Sequence, residues 1–546
     1  MSTRPRRPRP PHPLRDRRSP WWRSAALAGA LSVAVTAVSA PPAQAQLDDA
    51  TRRITEAVSA DRLRVHLQAF DEIATDHDGN RAAGTSGYRA SVDHMVGALR
   101  EAGYEPRLQT FRVPYFEVVA PATVATVADD GARTRLPSRE VAAVEHSVSG
   151  EVTGRLQAVD TDGSPGDSTS GCETGDFEGF APGSVALVQQ GECSSGRKAA
   201  NAEAAGASAV LVFGSGEWRH DRPARGSLEE PGAVTVPVIG LSYQAGVELL
   251  DAEEVSVTAE TVSELRETYN VIADTGTGDP ANTIVVGAHL DSVPEGAGIN
   301  DNGSGSAAVL VIAEALADTE VENTVRFAWW GAEEIGLLGS DHYVSDLAGN
   351  DPAGLEDTAM YLNFDMMGSP NYGRFVYDGD GSGFGDHDSY DAPVGSGAIE
   401  EAFHEYFDSV GLASGETGFD GESDYVAFIE AGIPSGGLYT GDDHTMTGRD
   451  ARRFDGRAGE PYDPCFHRAC DDITNIEFQG LEEMSDAAAA VVLRYATSGD
   501  GVDLAPPVTG PGGDGPLMAL LGVLAVGTVG LATLLMVRRR RRGPAG

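Results

Sequence analysis

Hydrophobic residues recur with helical spacing in the segment 61–103. Apolar side chains three or four positions apart share one face of a helix, so this spacing favours amphipathic helices over strands. Two such faces can be traced, and they consist of Leu63, Leu67 and Phe70, and of Val92, Val96 and Leu99. The sequence therefore predicts helices in this early part of the chain.

Beyond residue 270 the pattern changes to short β-branched runs that alternate with helical stretches. The runs are 282–290, 323–331 and 359–367, and the helical stretches include 304–317 and 339–348. Strands that alternate with helices build a mostly parallel sheet with helices on its faces. The predicted fold class is therefore α/β, with a mostly parallel central sheet flanked by helices.

Residues 117–260 interrupt this pattern with a region rich in Val, Gly and turn-forming residues, which indicates a β-rich insert. Its segment 183–213 reads GSVALVQQGECSSGRKAANAEAAGASAVLVF. The segment resembles the protease-associated (PA) domain, in which a small strand leads through R/Q-G-x-C to a K-A-x-N-A helix and an A-G-A strand. The resemblance implies a non-catalytic module that covers or selects substrate. The alternative is a β-rich insert of unknown purpose.

The N-terminal segment has the composition of a targeting sequence. Residues 1–45 combine an Arg-rich start, an apolar stretch and a final small-x-small site, A-Q-A. This order predicts a secretory signal peptide that is cleaved after Ala45 or, as a second choice, after Ala40. A membrane helix over 24–40 is the alternative.

The C-terminal segment predicts an anchor. Residues 517–537 carry no charge and are long enough to cross the bilayer core at about 1.5 Å per residue. The five arginines 538–542 follow at once and place that end in the cytoplasm. The P-P-V-T-G segment 506–510 resembles the L-P-x-T-G sorting signal of Gram-positive surface proteins, with Pro in place of Leu, and implies attachment to the cell wall instead. In both cases the body of the protein faces outward.

These patterns predict an exported, surface-tethered protein with an interrupted central domain. Its predicted segments are a signal peptide (1–45), a discontinuous α/β domain (46–116 and 261–500), the PA insert (117–260), a Pro/Gly-rich linker (501–516), a transmembrane helix (517–537) and a basic cytoplasmic tail (538–546).

The charge balance limits the kinds of partner the chain can bind, and the cysteines indicate how they are used. The chain has 83 acidic and 40 basic residues, a net charge of −43, and many of the basic residues lie in the two end segments. A body this acidic would repel a phosphate backbone, so nucleic acid is excluded as a partner. The four cysteines form two close pairs, Cys172 with Cys193 and Cys465 with Cys470. Close pairs in an exported protein favour two local disulfides over a soft metal site.

Side chains that commonly bind metal ions follow the three predicted strands and recur once near the end of the chain. They are His289, Asp291 and Asp301 after the first strand, Glu333 and Glu334 after the second, Asp365 after the third, and His467 within P-Y-D-P-C-F-H-R-A-C. Functional side chains gather at the carboxyl ends of strands in open α/β sheets. Two histidines and three carboxylates suit a pair of Zn²⁺ ions. Asp301 would bridge the ions, and Asp291 could accept a hydrogen bond from the other imidazole N–H of His289.

Together these motifs resemble the M28 zinc aminopeptidases, especially the secreted Streptomyces-type enzymes. The resemblance covers about 61–115 and 262–500. It includes N-R-A-A-G-T at 80–85, the series of metal-binding residues, SDYVAFIEAGIPSGGLYTG and PYDPCFHRACDD. It implies the same zinc-peptidase fold, two zinc ions per chain and peptide substrates with a free N-terminus.

The resemblance also implies a role for each residue. One zinc would be held by His289 and Asp365, the other by Glu334 and His467, with Asp301 across both. Glu333 would be the general base and acid. The substrate's α-amine would be recognised by Glu333 and Asp365, and the pocket for the first side chain would be lined by Met366, Gly421 and Tyr439.

Two positions depart from the family pattern. Phe466 stands where the family's closest members have a Tyr whose hydroxyl steadies the developing oxyanion, so we expect a lower kcat. Glu422 replaces the Arg of G-R-S-D, which helps to shape the amine site, so we expect altered recognition of the amine or of the first residue. Neither residue is a metal ligand.

Calcium is a further possible metal, since secreted members of the family are often calcium-modulated and Asp471-Asp472 is acidic, but the sequence contains no complete calcium site. The leading prediction is a surface-tethered two-zinc aminopeptidase. One alternative is an M28-type carboxypeptidase or dipeptidase. Another is a catalytically silent receptor or adhesion protein on the same fold, although such proteins typically lose metal ligands and all five are present here.

Overall fold

The computed structural model describes residues 42–217, 220–384, 390–499 and 504. The strands are β1 (Arg107–Val127), β2 (Arg133–Arg135), β3 (Val141–Ala143), β4 (Gly150–Ala158), β5 (Val185–Gln189), β6 (Ala209–Phe213), β7 (Val238–Leu241), β8 (Glu254–Asp274), β9 (Asp279–His289), β10 (Asn323–Trp330), β11 (Thr358–Phe364), β12 (Phe375–Tyr377), β13 (Gly415–Thr417) and β14 (Ser435–Tyr439). The helices are α1 (Pro42–Ala57), α2 (Ala60–Asp76), α3 (Ser86–Glu101), α4 (Ser195–Ala204), α5 (Tyr243–Leu249), α6 (Gly305–Leu316), α7 (Leu338–Asn350), α8 (Pro352–Glu356), α9 (Ser396–Val410), α10 (Tyr425–Glu430), α11 (Gly448–Phe454) and α12 (Phe478–Ala496).

A mostly parallel group of strands forms the centre of the discontinuous α/β domain. β9 pairs in parallel with β10 on one side and with β11 on the other, and β11 pairs in parallel with β14. Antiparallel strands flank this group, since β8 pairs with β10 and β12 pairs with β14. The predicted α/β fold class is therefore confirmed, and the three β-branched runs expected from the sequence are β9, β10 and β11.

Helices cover both faces of this sheet. One face packs against α2, α3, α6, α9 and α12, and Leu63, Leu67 and Phe70 on α2 are fully buried there, as their spacing predicted. α6 is apolar on all sides, and its residues from Ala307 to Ala313 have no exposed surface. A helix of this kind belongs inside the fold. α7 and α10 pack against the opposite face.

The strands of the insert continue the sheet beyond β8 in the order β4-β5-β6-β7-β3, since β4 pairs antiparallel with β8, and α4 and α5 lie beside them. β1 and β8 run from the α/β domain into the insert as an antiparallel ribbon that pairs from Arg107↔Ile272 to Thr126↔Val255. The predicted boundaries 116/117 and 260/261 therefore fall inside two continuous 21-residue strands. The register of this ribbon shifts between Val118 and Thr123.

Both predicted disulfides are present, Cys172–Cys193 in the insert and Cys465–Cys470 in the α/β domain. The predicted sorting signal, transmembrane helix (517–537) and basic tail lie outside the described residues, as does most of the predicted signal peptide. Within the described ranges, we find no helix with the length and apolar character needed to cross a membrane.

Candidate metal centre

Three neighbouring parallel strands end at the same edge of the sheet and bring most of the predicted metal-binding residues there. His289 is the last residue of β9, Asp365 directly follows β11, and Glu333 and Glu334 lie in the turn after β10. Because β10, β9 and β11 are adjacent and parallel, their carboxyl ends meet. The order of the strands thus explains why residues up to 76 positions apart in the chain come together.

Asp301 and His467 reach the same place from two loops. Asp301 lies in a buried turn, Ile299–Ser304, that leads into α6. His467 lies inside the loop that the Cys465–Cys470 disulfide closes, in a left-handed backbone conformation with φ 54°. Such a conformation is uncommon for a residue other than glycine, and it occurs where the surrounding structure fixes the backbone.

Asp301 lies between the two histidines. Its Oδ1 is 3.2 Å from His289 Nε2, and its Oδ2 is 3.1 Å from His467 Nε2. Asp365 Oδ1 is 3.2 Å from His289 Nε2, and Glu334 Oε2 is 3.1 Å from His467 Nε2. Each imidazole therefore faces Asp301 and one further carboxylate. The five predicted ligands form two adjoining sets that share Asp301.

Burial and crowding perturb the acid–base equilibria of these residues. Burial opposes protonation of both imidazoles, yet the carboxylates around them raise the pKa of His289 well above its usual range and that of His467 to about 10. Burial also raises the pKa of Glu334 to about 7, and the nearby Asp301 adds to this. Burial alone would raise the pKa of Asp301, but hydrogen bonds from the two histidines lower it. Buried carboxylates at this density need positive charge close by.

Unpartnered oxygens show that the residues fit metal ions. Glu334 Oε1 and Asp365 Oδ1 are buried and have no hydrogen-bond partner among the described residues. Buried polar atoms are almost always paired in folded proteins, so unpaired oxygens at one point indicate capacity for a ligand. Imidazole nitrogens together with carboxylate oxygens are typical zinc donors. The donor set therefore fits zinc.

Two side chains support the ligands directly. Ser423 Oγ donates to Asp365 Oδ2 at 2.6 Å, and Asp291 Oδ1 accepts the main-chain N–H of Glu333 at 3.1 Å. The sequence predicted a hydrogen bond from the imidazole of His289 to the Asp291 side chain. In the structure His289 Nδ1 lies 3.2 Å from the main-chain oxygen of Asp291 and 3.7 Å from its Oδ1. The carbonyl is therefore the nearer acceptor, and the carboxylate orients the turn that carries Glu333.

Glu333, the residue predicted to be the base, lies beside the two sets of predicted ligands. Glu333 is 9% exposed, and its Oε2 is 3.9 Å from His289 Nε2. Burial raises its pKa well above the usual range, and the neighbouring Glu334, Asp424 and Asp365 raise it further, against the opposing effect of His289. A raised pKa is typical of a carboxyl that transfers protons.

A cleft of about 480 Å³ opens over the ligands. The four residues predicted to contact the substrate, Met366, Gly421, Glu422 and Tyr439, all line it. Phe466 lines it as well, with its ring stacked on the His467 imidazole at 3.8 Å between centroids. Burial raises the pKa of Glu422, and so do Asp420 and Asp442, so this wall of the cleft is acidic.

The sequence analysis missed three residues at this edge. Ser423 and Asp424 belong to the quoted S-D-Y-V-A-F stretch, and Asp424 is fully buried with both carboxylate oxygens unpartnered among the described residues. Asp471, considered only as a calcium ligand, accepts the main-chain N–H groups of Asn300 and Asp301 at 2.8 and 3.0 Å. Its oxygens hold the turn that carries Asp301. All three residues lie inside the sequence motifs that carry the family resemblance, and this position was the signal that could have identified them.

Comparison with known proteins agrees with this geometry. Residues 270–492 match Peptidase family M28, and residues 152–249 match the PA domain. An aminopeptidase from Pseudomonas aeruginosa is 42% identical over 450 residues, which cover 82% of this chain and 82% of that protein. A probable lipoprotein aminopeptidase, LpqL, from Mycobacterium tuberculosis is 40% identical over 448 residues, 80% of this chain and 85% of the relative. A solved zinc aminopeptidase structure from Bacillus subtilis aligns with 25% identity and a TM-score of 0.54, over 80% of this chain and 95% of that one.

Proposed function

Because this chain belongs to peptidase family M28 and is a zinc-dependent aminopeptidase with an inserted PA domain, we propose that it uses two zinc ions and Glu333 to remove N-terminal residues from peptides at the cell surface. The observation that carries the two-metal part is the position of Asp301 between two histidines, each of which has one further carboxylate beside it. A single-metal site would not need a shared carboxylate.

The proposed ligand sets follow the two groups of contacts. His289 and Asp365 would hold one zinc ion, Glu334 and His467 would hold the other, and Asp301 would contribute to both. Bound zinc lowers the pKa of a coordinated water and polarises the scissile carbonyl. The three carboxylates would offset three of the four positive charges of two divalent cations, which lowers the cost of burying the cluster.

Glu333 is the residue we propose for proton transfer. Its carboxyl is buried next to the ligands, with Oε2 3.9 Å from His289 Nε2 and thus farther from it than Asp301 and Asp365, which lie at 3.2 Å, and Asp291 fixes the turn that carries it. A carboxyl with a raised pKa can take a proton from the attacking water and return it to the leaving amine near neutral pH. Glu333 would thus act first as a base and then as an acid.

Substrate orientation would come from the same edge and from the cleft above it. Glu333 and Asp365 both lie close to His289, so a positively charged α-amine that approaches this side of the site would meet two carboxylates. Met366, Gly421 and Tyr439 would surround the first side chain. Glu422 adds negative charge where the family pattern has Arg, which would strengthen the preference for a free amine over an acylated one.

A surface location is supported by two observations. The relative from M. tuberculosis is named a probable lipoprotein aminopeptidase, and this sequence predicts a signal peptide and an apolar segment at 517–537. We propose that the catalytic part is exported and held at the outer face of the membrane or in the cell wall. Alkaline extraction of washed membranes and enzymatic digestion of the wall would separate these two forms of attachment.

The test of the proposed function combines metal removal with a matched pair of substrates. The full-length protein should contain about two zinc ions per chain, lose hydrolysis of leucine p-nitroanilide when a chelator removes them, and regain it with Zn²⁺ or Co²⁺. N-acetyl-leucine p-nitroanilide should not be hydrolysed, since it has no free amine. Full activity after verified metal removal, or equal rates on the two substrates, would contradict the proposal.

A further inference from the structure

Arg81 is a fully buried arginine in the N-R-A-A-G-T segment between α2 and α3. Its guanidinium lies over the ring of Phe70 at 4.9 Å, so one face of the cation is covered by an aromatic side chain of α2. None of the roles proposed above involves this residue. The segment was one of the motifs on which the family resemblance depended, and the reaction does not explain its presence.

Among the described residues, the guanidinium donates only to main-chain carbonyls in the loops that carry the proposed metal ligands. Nε donates to Ala297 O at 2.8 Å, Nη2 donates to Gly298 O at 2.6 Å, and Nη1 donates to Leu290 O. Leu290 directly follows His289, and Gly298 directly precedes the turn that contains Asp301. The main-chain N–H of Arg81 also donates to Ser292 Oγ at 2.9 Å. The Arg81 side chain therefore connects the loop that follows His289 with the loop that carries Asp301.

Burying this cation without a directly paired carboxylate is energetically unfavourable. Among the described residues Arg81 forms no ion pair, and burial lowers its pKa to about 10, so it remains charged at neutral pH. Charge-assisted hydrogen bonds to three carbonyls offset part of the desolvation. A planar guanidinium holds its donors in a rigid fork, which lysine and apolar residues cannot reproduce. What arginine specifically supplies here is a fixed separation between three carbonyls.

We propose that Arg81 is a positioning residue of the metal centre, and that its three hydrogen bonds hold His289 and Asp301 at the separation that metal binding requires. The inference rests on the proposed two-metal site. In the structure His289 Nε2 and Asp301 Oδ1 are 3.2 Å apart, although they belong to different loops. The side chains of a site lose affinity for a metal when the groups that orient them are removed.

Arg326 provides a matched control in the same domain. It lies on β10, is largely buried, and forms two hydrogen bonds to Asp274 at 2.7 and 2.8 Å and one to Tyr343 at 3.0 Å. None of these partners is a metal ligand or adjacent to one. Loss of Arg326 should therefore lower stability without a specific change in metal binding.

The experiment measures zinc affinity by competition with a chromogenic chelator in full-length Arg81→Lys, Arg81→Met and Arg326→Met, at temperatures where each variant is folded. We expect both Arg81 variants to bind zinc about 10- to 100-fold more weakly than the unaltered protein. The zinc affinity of Arg326→Met should stay within about twofold of that of the unaltered protein, even if its Tm falls as far as the Tm of the Arg81 variants. Arg81→Lys keeps the charge, and therefore separates hydrogen-bond geometry from electrostatics.

Three results would overturn the inference. They are unchanged zinc affinity in a folded Arg81→Met protein, full affinity in Arg81→Lys, and an equal loss of affinity in Arg326→Met. The first excludes a positioning role, the second assigns the effect to charge, and the third assigns it to general stability. If the unaltered protein binds no zinc pair at all, the proposed function fails instead, so the two failures can be told apart.

Discussion

Buried charged groups have their partners within the insert, but they are only partly paired at the catalytic edge, the edge of the sheet where β9, β10 and β11 end. In the insert, the buried ammonium of Lys198 donates to Ser170 O at 2.7 Å and lies 3.4 Å from Ser168 O. Buried Glu140 accepts from Ser242 Oγ at 3.0 Å and from Arg139 at 2.7 Å. Both groups find their partners within the insert, as stable interiors require.

At the catalytic edge several buried carboxylates lack hydrogen bonds. Asp291, Glu334 and Asp365 each have one buried oxygen that accepts no hydrogen bond from the described residues. Within the described residues, no carboxylate of the insert shares this property. The difference shows that the insert pairs its buried carboxylates within itself, whereas the catalytic edge leaves carboxylate oxygens available to a bound cation.

The largest effect should come from the carboxyl that we assign to proton transfer. Glu333→Gln removes the base but keeps the size of the side chain, so kcat should fall by about 10²- to 10⁴-fold. Zinc content, measured by atomic absorption, should stay unchanged. Glu334→Gln is the matched control, and it should lose zinc. If the two variants show the opposite pattern, the roles of these neighbouring residues are exchanged.

The second effect concerns stability in acid and lies in the catalytic part, away from the metal centre. Burial lowers the pKa of His94 to about 4, and the neighbouring His66 contributes to this against the weaker opposing effect of Glu314. His94 Nε2 lies 3.1 Å from His66 Nδ1, and Glu314 and Arg62 complete the group.

Between about pH 6.5 and 4 the unfolded chain therefore binds a proton at His94 that the folded chain does not. Stability falls as the pH decreases through this range, by about 3 kcal/mol for a shift of this size. His94→Gln can keep a hydrogen bond to His66 without titrating, so denaturant unfolding at pH 7 and pH 4.5 should show a smaller loss. The exposed His220→Gln in the insert is the control. An unchanged pH dependence in His94→Gln would contradict the assignment.

Much of the site was predictable because the ligands follow strand ends. The β-branched runs that became β9, β10 and β11 have clear boundaries, and His289 ends β9, Asp365 directly follows β11, and the Glu333-Glu334 pair lies in the turn after β10. The contacts of Arg81 and Asp471 were not predictable, since their partners are main-chain atoms of residues more than 160 positions away. Hydrophobic spacing carries no information about such contacts.

The predicted ends of the insert show a second limit of prediction from the sequence. β1 and β8 form a ribbon whose residues are largely exposed or half-buried near positions 116 and 261. A ribbon exposed on both faces shows no change in hydrophobic pattern where one domain passes into the other. The composition changes gradually there, although the strands are continuous.

The third effect tests the missing hydroxyl at the rim of the cleft. The ring of Phe466 stacks on His467 but offers no hydrogen-bond donor. Phe466→Tyr would add a hydroxyl beside the position where negative charge develops on the scissile carbonyl, and kcat should rise about tenfold or more at matched zinc occupancy. KM should change little, because the contact forms in the transition state. An unchanged kcat would mean that other groups already stabilise the oxyanion.

The smallest effect compares the two disulfides directly. The Cys465–Cys470 bond closes a loop around His467, so replacing both cysteines by Ser should leave the ligand less well held and weaken zinc binding about three- to tenfold. The matched variant, with Ser at Cys172 and Cys193, alters only the insert. It should lower the Tm of the insert while kcat on a short substrate stays within about twofold. Chelator competition and steady-state kinetics on both variants provide the measurement. If the insert variant lost zinc as readily as the loop variant, zinc binding would depend on the insert, and the two regions could not be treated as independent.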